Sequence, residues 1–188
     1  SFNLRDLSKV FQGLLMITAP KMKDKETLAK LWLHEMQRVF YDRLINSDDQ
    51  TWFETLGASL VQRLAPTLPS DLFGETSIIF ADFGRQSVEV ESRKYELVEL
   101  APITKVLTDM LDDYNVSFPT KMNLVFFSDA VRHICRMCRI LRQPRGNAML
   151  VGVGGSGKQS TARLAAFVSG MECRSIEINR GYGIREFR

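Results

Sequence analysis

An apolar run followed directly by a glycine-rich turn is the feature that most restricts the fold of this chain. The run AMLVGV at residues 148–153 has the length and composition of a buried β-strand. Its last two residues are also the first two of the glycine-rich segment GVGGSGKQS at 152–160. Helical periodicity resumes at Lys158, and CRSIEI at 173–178 again has strand character. The order strand, glycine loop, helix, strand opens a unit with parallel strands, so it predicts an α/β fold for this part of the chain.

The glycine loop predicts a phosphate-binding site. Glycines accept backbone dihedrals that other residues avoid, so successive N–H groups can converge on phosphate oxygens at a helix start, whose dipole favours negative charge. The spacing from Gly152 to Lys158 matches GxxxxGK, in which the lysine ammonium binds the outer phosphates. We therefore expect the loop to hold ATP or ADP. The predicted binding residues are Gly152, Val153, Gly154, Gly155, Ser156, Gly157, Lys158, Gln159 and Ser160.

The same glycines also satisfy a second pattern. Gly152, Gly154 and Gly157 match the GxGxxG of dinucleotide-binding folds, and Glu177 lies 20 residues beyond the last of them, where such folds bind a ribose. Lys158 has no role in a dinucleotide site, and a long helical segment precedes the strand, so a triphosphate site is favoured. A glycine-rich turn without a ligand is the third alternative, since short motifs recur by chance.

Gln159 departs from the usual loop, in which Ser or Thr directly after the lysine ligates Mg²⁺. A neutral amide oxygen is a weaker ligand, and Ser160 lies about 100° further round the helix. We expect tight phosphate binding with weak Mg²⁺ positioning, and slow or absent hydrolysis even in the complete site. The sequence predicts no other metal ligands and no catalytic residues.

Apolar residues at three- and four-residue intervals predict an α-helical N-terminal part. Asn3 and Asp24 are suited to cap the first two helices, and Asp48 or Asp49 the third. The second helix is expected to continue to Leu44. The predicted inner faces are Leu4, Leu7, Val10, Phe11, Leu14 and Leu15 in the first helix, and Trp52, Phe53, Leu56, Leu60 and Leu64 in the third.

The middle of the chain has weaker periodicity. Residues 69–99 are predicted to form a connector, in which SIIFADF at 77–83 is a short strand or an extended turn. A helix is expected over about 102–115, and another from Ser128. The aromatic residues at core spacing, Trp32, Phe40, Trp52 and Phe53, are expected to pack inside the fold.

Charge divides the chain unequally. Residues 1–128 hold 14 Lys/Arg and 18 Asp/Glu, a net −4, whereas residues 129–188 hold 11 and 4, a net +7. The basic part suits a polyphosphate ligand or an acidic neighbouring surface, and a solvated face of spaced arginines is the alternative. No aromatic residues interleave with these arginines, so nucleic-acid binding is not predicted. Much of the series is expected opposite the apolar stripe of its helix. The series comprises Arg132, Arg136, Arg139, Arg142 and Arg145.

The cysteines and the apolar runs restrict the location of the protein. Cys135 and Cys138 share one helix face, so we expect buried free thiols and not a metal or redox site. No apolar run approaches the roughly 20 residues that cross a bilayer, and the N-terminus lacks a secretory signal. These features predict a cytoplasmic protein with no membrane segment.

With these features in place, the chain resembles the axonemal dynein heavy chains over nearly all of its length. The resemblance is carried by FNLRDLSKVFQG (2–13), LWLHEMQRVFYDRLIN (31–46) and, most specifically, LRQPRGNAMLVGVGGSGKQS (141–160). Dynein motors contain six AAA+ modules in one ring. The resemblance implies that residues 1–117 form the α-helical lid of the third module with a linker, and that 118–188 begin the nucleotide-binding core of the fourth.

The resemblance also assigns residues to nucleotide sites. It implies that Arg5 is the sensor arginine for the γ-phosphate of the third module, although its spacing alone favours an ordinary surface arginine. Lys158 resembles the phosphate-loop lysine of the fourth module. Leu124 and Val125 resemble the segment that lines the adenine, and a purely structural role for them stays open because ligand pockets are mostly apolar.

At the level of function, the resemblance implies ATP-dependent, microtubule-based movement in the axoneme of cilia and flagella. The implied partners are adjacent AAA+ modules of the same chain, microtubules, and dynein intermediate and light chains. No Walker B strand, sensor 1 strand or arginine finger occurs before Arg188, so we expect no hydrolysis by this fragment alone. The nucleotide site is then regulatory or structural, and a non-catalytic module that serves only ring assembly is the alternative.

Overall fold

The computed structural model describes residues 2–69, 72, 78–84, 89–176 and 181–187. The α-helices among them are α1 (Leu4–Leu14), α2 (Lys25–Val39), α3 (Ser47–Leu64), α4 (Leu100–Ser117), α5 (Ser128–Arg142), α6 (Lys158–Val168) and α7 (Ile184–Phe187). Short 3₁₀ helices lie at Ala19–Lys21, Tyr41–Arg43 and Val90–Ser92. Strands β1 (Ile79–Ala81) and β2 (Glu96–Val98) pair antiparallel, with Phe80 opposite Leu97. In this part of the chain, no helix combines the length and apolar character needed to cross a membrane.

The first two helices begin at the predicted caps. The side chain of Asn3 accepts hydrogen bonds from the N–H groups of Arg5 and Asp6 at 2.9 and 3.3 Å. The Asp6 carboxylate accepts from the N–H of Asn3 at 3.0 Å, which completes a capping box. Asp24 accepts from the N–H of Thr27 at 2.6 Å. Both caps are therefore confirmed.

Two other predicted helix boundaries are wrong. Helix α3 begins at Ser47, so Asp48 and Asp49 lie in its first turn, where their carboxylates face the positive end of the helix dipole. Helix α2 ends at Val39 and not at Leu44, because the next residues tighten into a 3₁₀ turn. Apolar spacing continues through such a turn, which explains why it did not reveal the end of the helix.

Strand β1 lies between two hydrophobic clusters. On one face, Ile78 and Phe80 join buried residues of α2 and α3, and on the other, Ile79 and Ala81 join α4, α5 and α6. Because successive side chains of a strand point to opposite faces, one short strand contributes to both clusters. Helix α4 thus packs with the C-terminal helices α5 and α6. The domain boundary after residue 117 stays a prediction.

The buried faces of α1 and α3 differ from the predicted ones. Val10 and Gly13 are buried in α1, whereas Leu4 is 83% exposed. Phe53 is buried in α3, as predicted, whereas the neighbouring Trp52 is 65% exposed. Periodicity locates an apolar face but does not identify which part of it a partner covers. Helix α4 covers the helix predicted over about 102–115, and its buried residues are Ile103, Leu107, Met110, Leu111 and Tyr114.

The strands predicted on either side of α6 do not form among the described residues. Residues 148–153 have no strand pairing, and Met149, Val151 and Val153 are 90%, 82% and 79% exposed. Residues 173–176 are likewise unpaired, and the rest of that segment lies outside the described residues. An apolar parallel strand is buried only when neighbouring strands and helices cover it. The described part of the chain provides no strand beside 148–153, which explains why these residues are exposed and do not form the predicted strand.

The cysteines of α5 lie in the core, as predicted. Cys135 and Cys138 are 5% and 3% exposed, and both are free thiols. Burial raises the pKa of the Cys135 thiol to about 12, and it raises the pKa of Cys138 as well. Neither side chain is therefore a thiolate near neutral pH. His133, on the same helix, is exposed.

Candidate functional site

The glycine loop enters α6 through a backbone conformation that favours glycine. Gly155 has a φ of 77° and Gly157 has a φ of 76°, and Gly157 is the N-cap of α6. Residues with a Cβ rarely adopt these angles. A Cβ built on Gly154, Gly155 or Gly157 would meet no atom within 4 Å. Backbone conformation, and not crowding, therefore explains two of these glycines, and the loop has open space at all three positions.

Lys158 is the first residue of α6, and its side chain turns back into the loop. Its Nζ donates hydrogen bonds to the carbonyl oxygens of Gly152 and Val153 at 2.7 and 2.6 Å. It also donates to Ser156 Oγ at 3.0 Å. These contacts place a positive charge inside the turn, next to the N-terminus of the helix.

The first turn of α6 contains N–H groups that are available to a ligand. Gly157 has no side chain with which to cap the helix. In the described part of the chain, the N–H groups of Lys158, Gln159 and Ser160 have no hydrogen-bond acceptor, and Thr161 is the first to donate, to Gly157 at 2.8 Å. Such N–H groups and the helix dipole together favour an anion. The residues present therefore fit a phosphate group.

The residues after the lysine provide little for a metal ion. Gln159 is exposed and Ser160 is half-buried. Among the residues that the structure describes, no three His, Cys, Asp or Glu side chains come together as potential metal ligands. The weak Mg²⁺ positioning expected from Gln159 stays a prediction.

The other predicted site residues lie outside the loop itself. Leu124 is half-buried against the cluster of α4, α5 and α6, whereas Val125 is 82% exposed. Arg5 is exposed on α1, which packs on α2, and no ion-pair partner for it occurs in the described ranges. Helix α6 instead packs on α5 and α4. Glu177, considered for a dinucleotide site, lies outside the described residues. The roles of Arg5, Leu124, Val125 and Glu177 therefore stay predictions.

Helix α6 is fixed by its buried face and by a cation at its C-terminal end. Leu164 and Ala165 are 0% exposed, and Cys138 of α5 lies with its Sγ 3.8 Å from the carbonyl oxygen of Ala165. The Arg93 guanidinium donates to the carbonyl oxygen of Val168, the last residue of α6, where the helix dipole is negative. Sequence reasoning missed Arg93 because it lies in a polar loop 75 residues away from the group it binds.

Three arginines of α5 pair with acidic residues of the N-terminal part. The pairs are Arg136 with Asp42 at 3.3 Å, Arg139 with Glu35, and Arg142 with Asp82 at 2.6 Å. Arg139 does not lie opposite the apolar stripe, where much of the series is expected, because it is only 7% exposed and lies in the core. The basic helix α5 thus faces an acidic surface, and that surface belongs to the same chain.

Glu35 is the centre of a buried network that joins α2 to α5. Its carboxylate accepts from Arg139 Nε at 3.0 and 3.2 Å and from a second guanidinium nitrogen of the same residue. The Tyr95 hydroxyl donates to it at 3.1 Å. Beside it, His34 Nδ1 donates to the carbonyl oxygen of Ile78 at 3.0 Å. Burial, with a contribution from nearby arginines, lowers the pKa of His34 well below its ordinary value, so the ring is neutral.

Gly13 makes room for this network where α1 crosses α2. A Cβ built on Gly13 would lie 1.7 Å from Glu35 Oε2, so only glycine allows the observed approach. A glycine inside a helix costs about 1 kcal/mol relative to alanine. A glycine inside a predicted helix was therefore the one signal in the sequence that could have indicated the close contact between Gly13 and Glu35.

Two family models match separate parts of the chain. Residues 1–72 match the AAA+ lid domain, and residues 122–188 match the family described as P-loop containing dynein motor region D4. The first match contains α1, α2 and α3. The second contains α5, the glycine loop and α6.

Curated relatives match over the whole chain. Human dynein axonemal heavy chain 17 is 45% identical over 188 residues, which are 100% of this chain and 4% of the relative. Human dynein axonemal heavy chain 6 is 42% identical over 99% of this chain and 4% of its own length. The ciliary dynein beta chain of Tripneustes gratilla is 43% identical over 100% of this chain and 4% of the relative. The chain thus spans about 4% of the length of these relatives.

Proposed function

The chain belongs to the dynein heavy chain family, and from this we propose that its glycine loop binds an adenine nucleotide in the motor region of an axonemal dynein. The observation that carries the proposal is the Lys158 ammonium inside a loop that ends at an uncapped helix N-terminus. A cation and free N–H groups at one helix start are the donors that a polyphosphate requires.

The proposed roles follow from the contacts of each group. Lys158 exchanges its bonds to the loop carbonyls for bonds to the outer phosphates. The N–H groups of Gln159 and Ser160 donate to the same anion, and the left-handed Gly157 directs them outward from the helix. Leu124 and Val125 contribute apolar contacts to the adenine.

We further propose that the bound nucleotide, ATP or ADP, has a regulatory or structural role. The amide of Gln159 follows the lysine in place of a hydroxyl, which supports weak Mg²⁺ positioning and slow hydrolysis. In the whole protein, the chain then acts within an AAA+ ring beside adjacent modules, one of whose nucleotides Arg5 senses. That protein moves along microtubules in the axoneme with intermediate and light chains.

Calorimetric titration of the 188-residue chain with ATP and with ADP, each with and without Mg²⁺, tests the loop. We expect Lys158→Ala to weaken binding of both nucleotides at least about tenfold, because a hydrogen bond to a charged group contributes about 1.5–3 kcal/mol. Removal of Mg²⁺ should weaken binding less than this substitution does.

Lys105→Ala is the matched control, because Lys105 is exposed on α4 and lies outside the loop. It should leave the affinity for nucleotide unchanged. Equal affinities of wild type and Lys158→Ala would refute the assignment of the site to the loop. If the wild-type chain binds neither nucleotide, the alternative of a ring-assembly module without a ligand is supported instead.

A further inference from the structure

Helix α6 is attached to the rest of the fold mainly through its C-terminal half. Residues 158–163, which include the N–H groups proposed to bind phosphate, are half-buried or exposed. The first turn therefore projects away from the attached part of the helix. Because an α-helix is a stiff rod, contacts at its far end set the direction of the N–H groups in that turn. The buried residues of α6 are Leu164, Ala165, Ala166 and Val168.

The C-terminal end of α6 is closed by a glycine cap. Gly170 has a φ of 68°, and its N–H donates to the carbonyl oxygen of Phe167 at 3.0 Å. The N–H of Met171 donates to the carbonyl oxygen of Ala166 at 2.8 Å. These two bonds form a Schellman motif, which contains no donor for the carbonyl of the last helical residue. That residue is Val168, so its carbonyl requires a donor from elsewhere in the fold.

The turn at residues 90–93 holds this end of α6 through two contacts. The Arg93 guanidinium donates to the carbonyl oxygen of Val168. A Cβ built on Gly170 would lie 2.7 Å from a methyl carbon of Val90, so Val90 packs directly against the cap. The last turn of α6 has no Lys, Arg or His of its own. Arg93 therefore provides the cation that the negative end of the helix dipole favours.

The 90–93 turn also leads directly into the buried network of α2. Arg93 has extended backbone dihedrals and lies two residues before Tyr95. Tyr95 is 1% exposed, and its hydroxyl donates to the Glu35 carboxylate at 3.1 Å. Arg93 is thus located between the phosphate-binding helix and the charged core of the N-terminal part.

We propose that Arg93 and Val90 are positioning residues for the nucleotide site, which they affect through the direction of α6. This inference rests on the proposed binding of nucleotide to the glycine loop. The helix has 11 residues, so the two side chains lie about 16 Å from the loop and do not touch the ligand. Hydrogen bonds weaken steeply when their angle is poor, so a small tilt of α6 lowers the affinity. A change in the N-terminal part that moves the 90–93 turn then regulates the loop.

The test is a calorimetric titration of the 188-residue chain with ADP. Arg93→Gln should weaken binding at least about fivefold, the lower end of typical coupling between two sites. Arg93→Lys keeps a cation at the end of the helix and should recover most of the affinity. Lys21→Gln is the matched control, because Lys21 binds the same segment at Glu96 without contacting α6, and it should leave the affinity unchanged.

Urea unfolding separates a positioning role from a merely structural one. All variants are titrated where circular dichroism shows them to be folded. A merely structural role of Arg93 would then lower the urea midpoint and leave the affinity for ADP unchanged. Val90→Ala removes the methyl groups that pack on Gly170, so it should also weaken binding. It decides the question if Arg93→Gln proves to be unfolded.

The outcomes distinguish this inference from the proposed function. If the wild-type chain binds ADP and Arg93→Gln binds it equally well, the positioning role is overturned and the nucleotide site stands. The same conclusion follows if Lys21→Gln weakens binding as much as Arg93→Gln. If the wild-type chain does not bind ADP, the nucleotide site fails, and the positioning role fails with it.

Discussion

Replacing Arg139 by Met tests how strongly the N-terminal helices are bound to α5. The substitution removes three hydrogen bonds to Glu35, whose side chain is 0% exposed, and it leaves that carboxylate buried without its cation. Removing one partner of a buried ion pair typically costs about 3–5 kcal/mol. Met retains much of the apolar volume of Arg, so little of this loss comes from a cavity.

Urea unfolding followed by circular dichroism measures the effect. A loss of about 3–5 kcal/mol is a large part of the roughly 5–15 kcal/mol that stabilises a typical domain, so the midpoint should fall markedly at an unchanged slope. Arg142→Met is the matched control on the same helix, because its pair with Asp82 is partly solvated, with side chains 29% and 17% exposed. That variant should lose at most about 1 kcal/mol.

A double-mutant cycle separates the buried charge from the lost contacts. Adding Glu35→Gln to Arg139→Met removes the uncompensated charge, so the double variant should recover at least about 1 kcal/mol relative to the sum of the single losses. Equal losses in Arg139→Met and Arg142→Met, or additive effects in the cycle, would show that the buried pair does not hold the two parts together.

Two further predictions concern the same network. Gly13→Ala should lower the free energy of unfolding by about 1–3 kcal/mol, because its Cβ would lie 1.7 Å from Glu35 Oε2, whereas Gly154→Ala, with no atom within 4 Å, should be neutral in urea unfolding. His34 has a depressed pKa in the folded state, so the unfolded chain binds its proton first, and stability should fall by about 1.4 kcal/mol per pH unit below about pH 6.5. In His34→Gln that slope should shrink, and an unchanged slope between about pH 5.5 and 6.5 would contradict the assignment.

Local features of the fold could be predicted from the sequence. Asn3 and Asp24 cap their helices through atoms within three residues, and the left-handed Gly157 lies at the predicted start of α6. The glycine loop, too, is specified locally, because Lys158 binds atoms no more than six residues away. Interactions of this range depend on the chain alone and not on how distant elements meet.

Features that depend on distant elements could not be predicted in the same way. The run 148–153 is apolar enough for a buried strand, but burial requires neighbouring strands, and Val151 is 82% exposed. Likewise, the sequence pattern indicates that Glu35 is a surface charge on an amphipathic helix. Only the structure shows that it binds Arg139, which lies 104 residues later in the chain. Periodicity carries no information about such partners.

The unequal charge of the chain is partly neutralised within the fold, and this affects the candidate site. The arginines of α5 bind acids on α2, on the turn after α2, and after β1, so one helix is fixed at three points of the N-terminal part. Helix α6 packs on α5 and begins at the glycine loop. A substitution in one of these ion pairs can therefore alter the loop without contacting it. If so, Arg139→Met should weaken nucleotide binding more than Arg142→Met does, and equal affinities in the two variants would show that the loop is independent of this attachment.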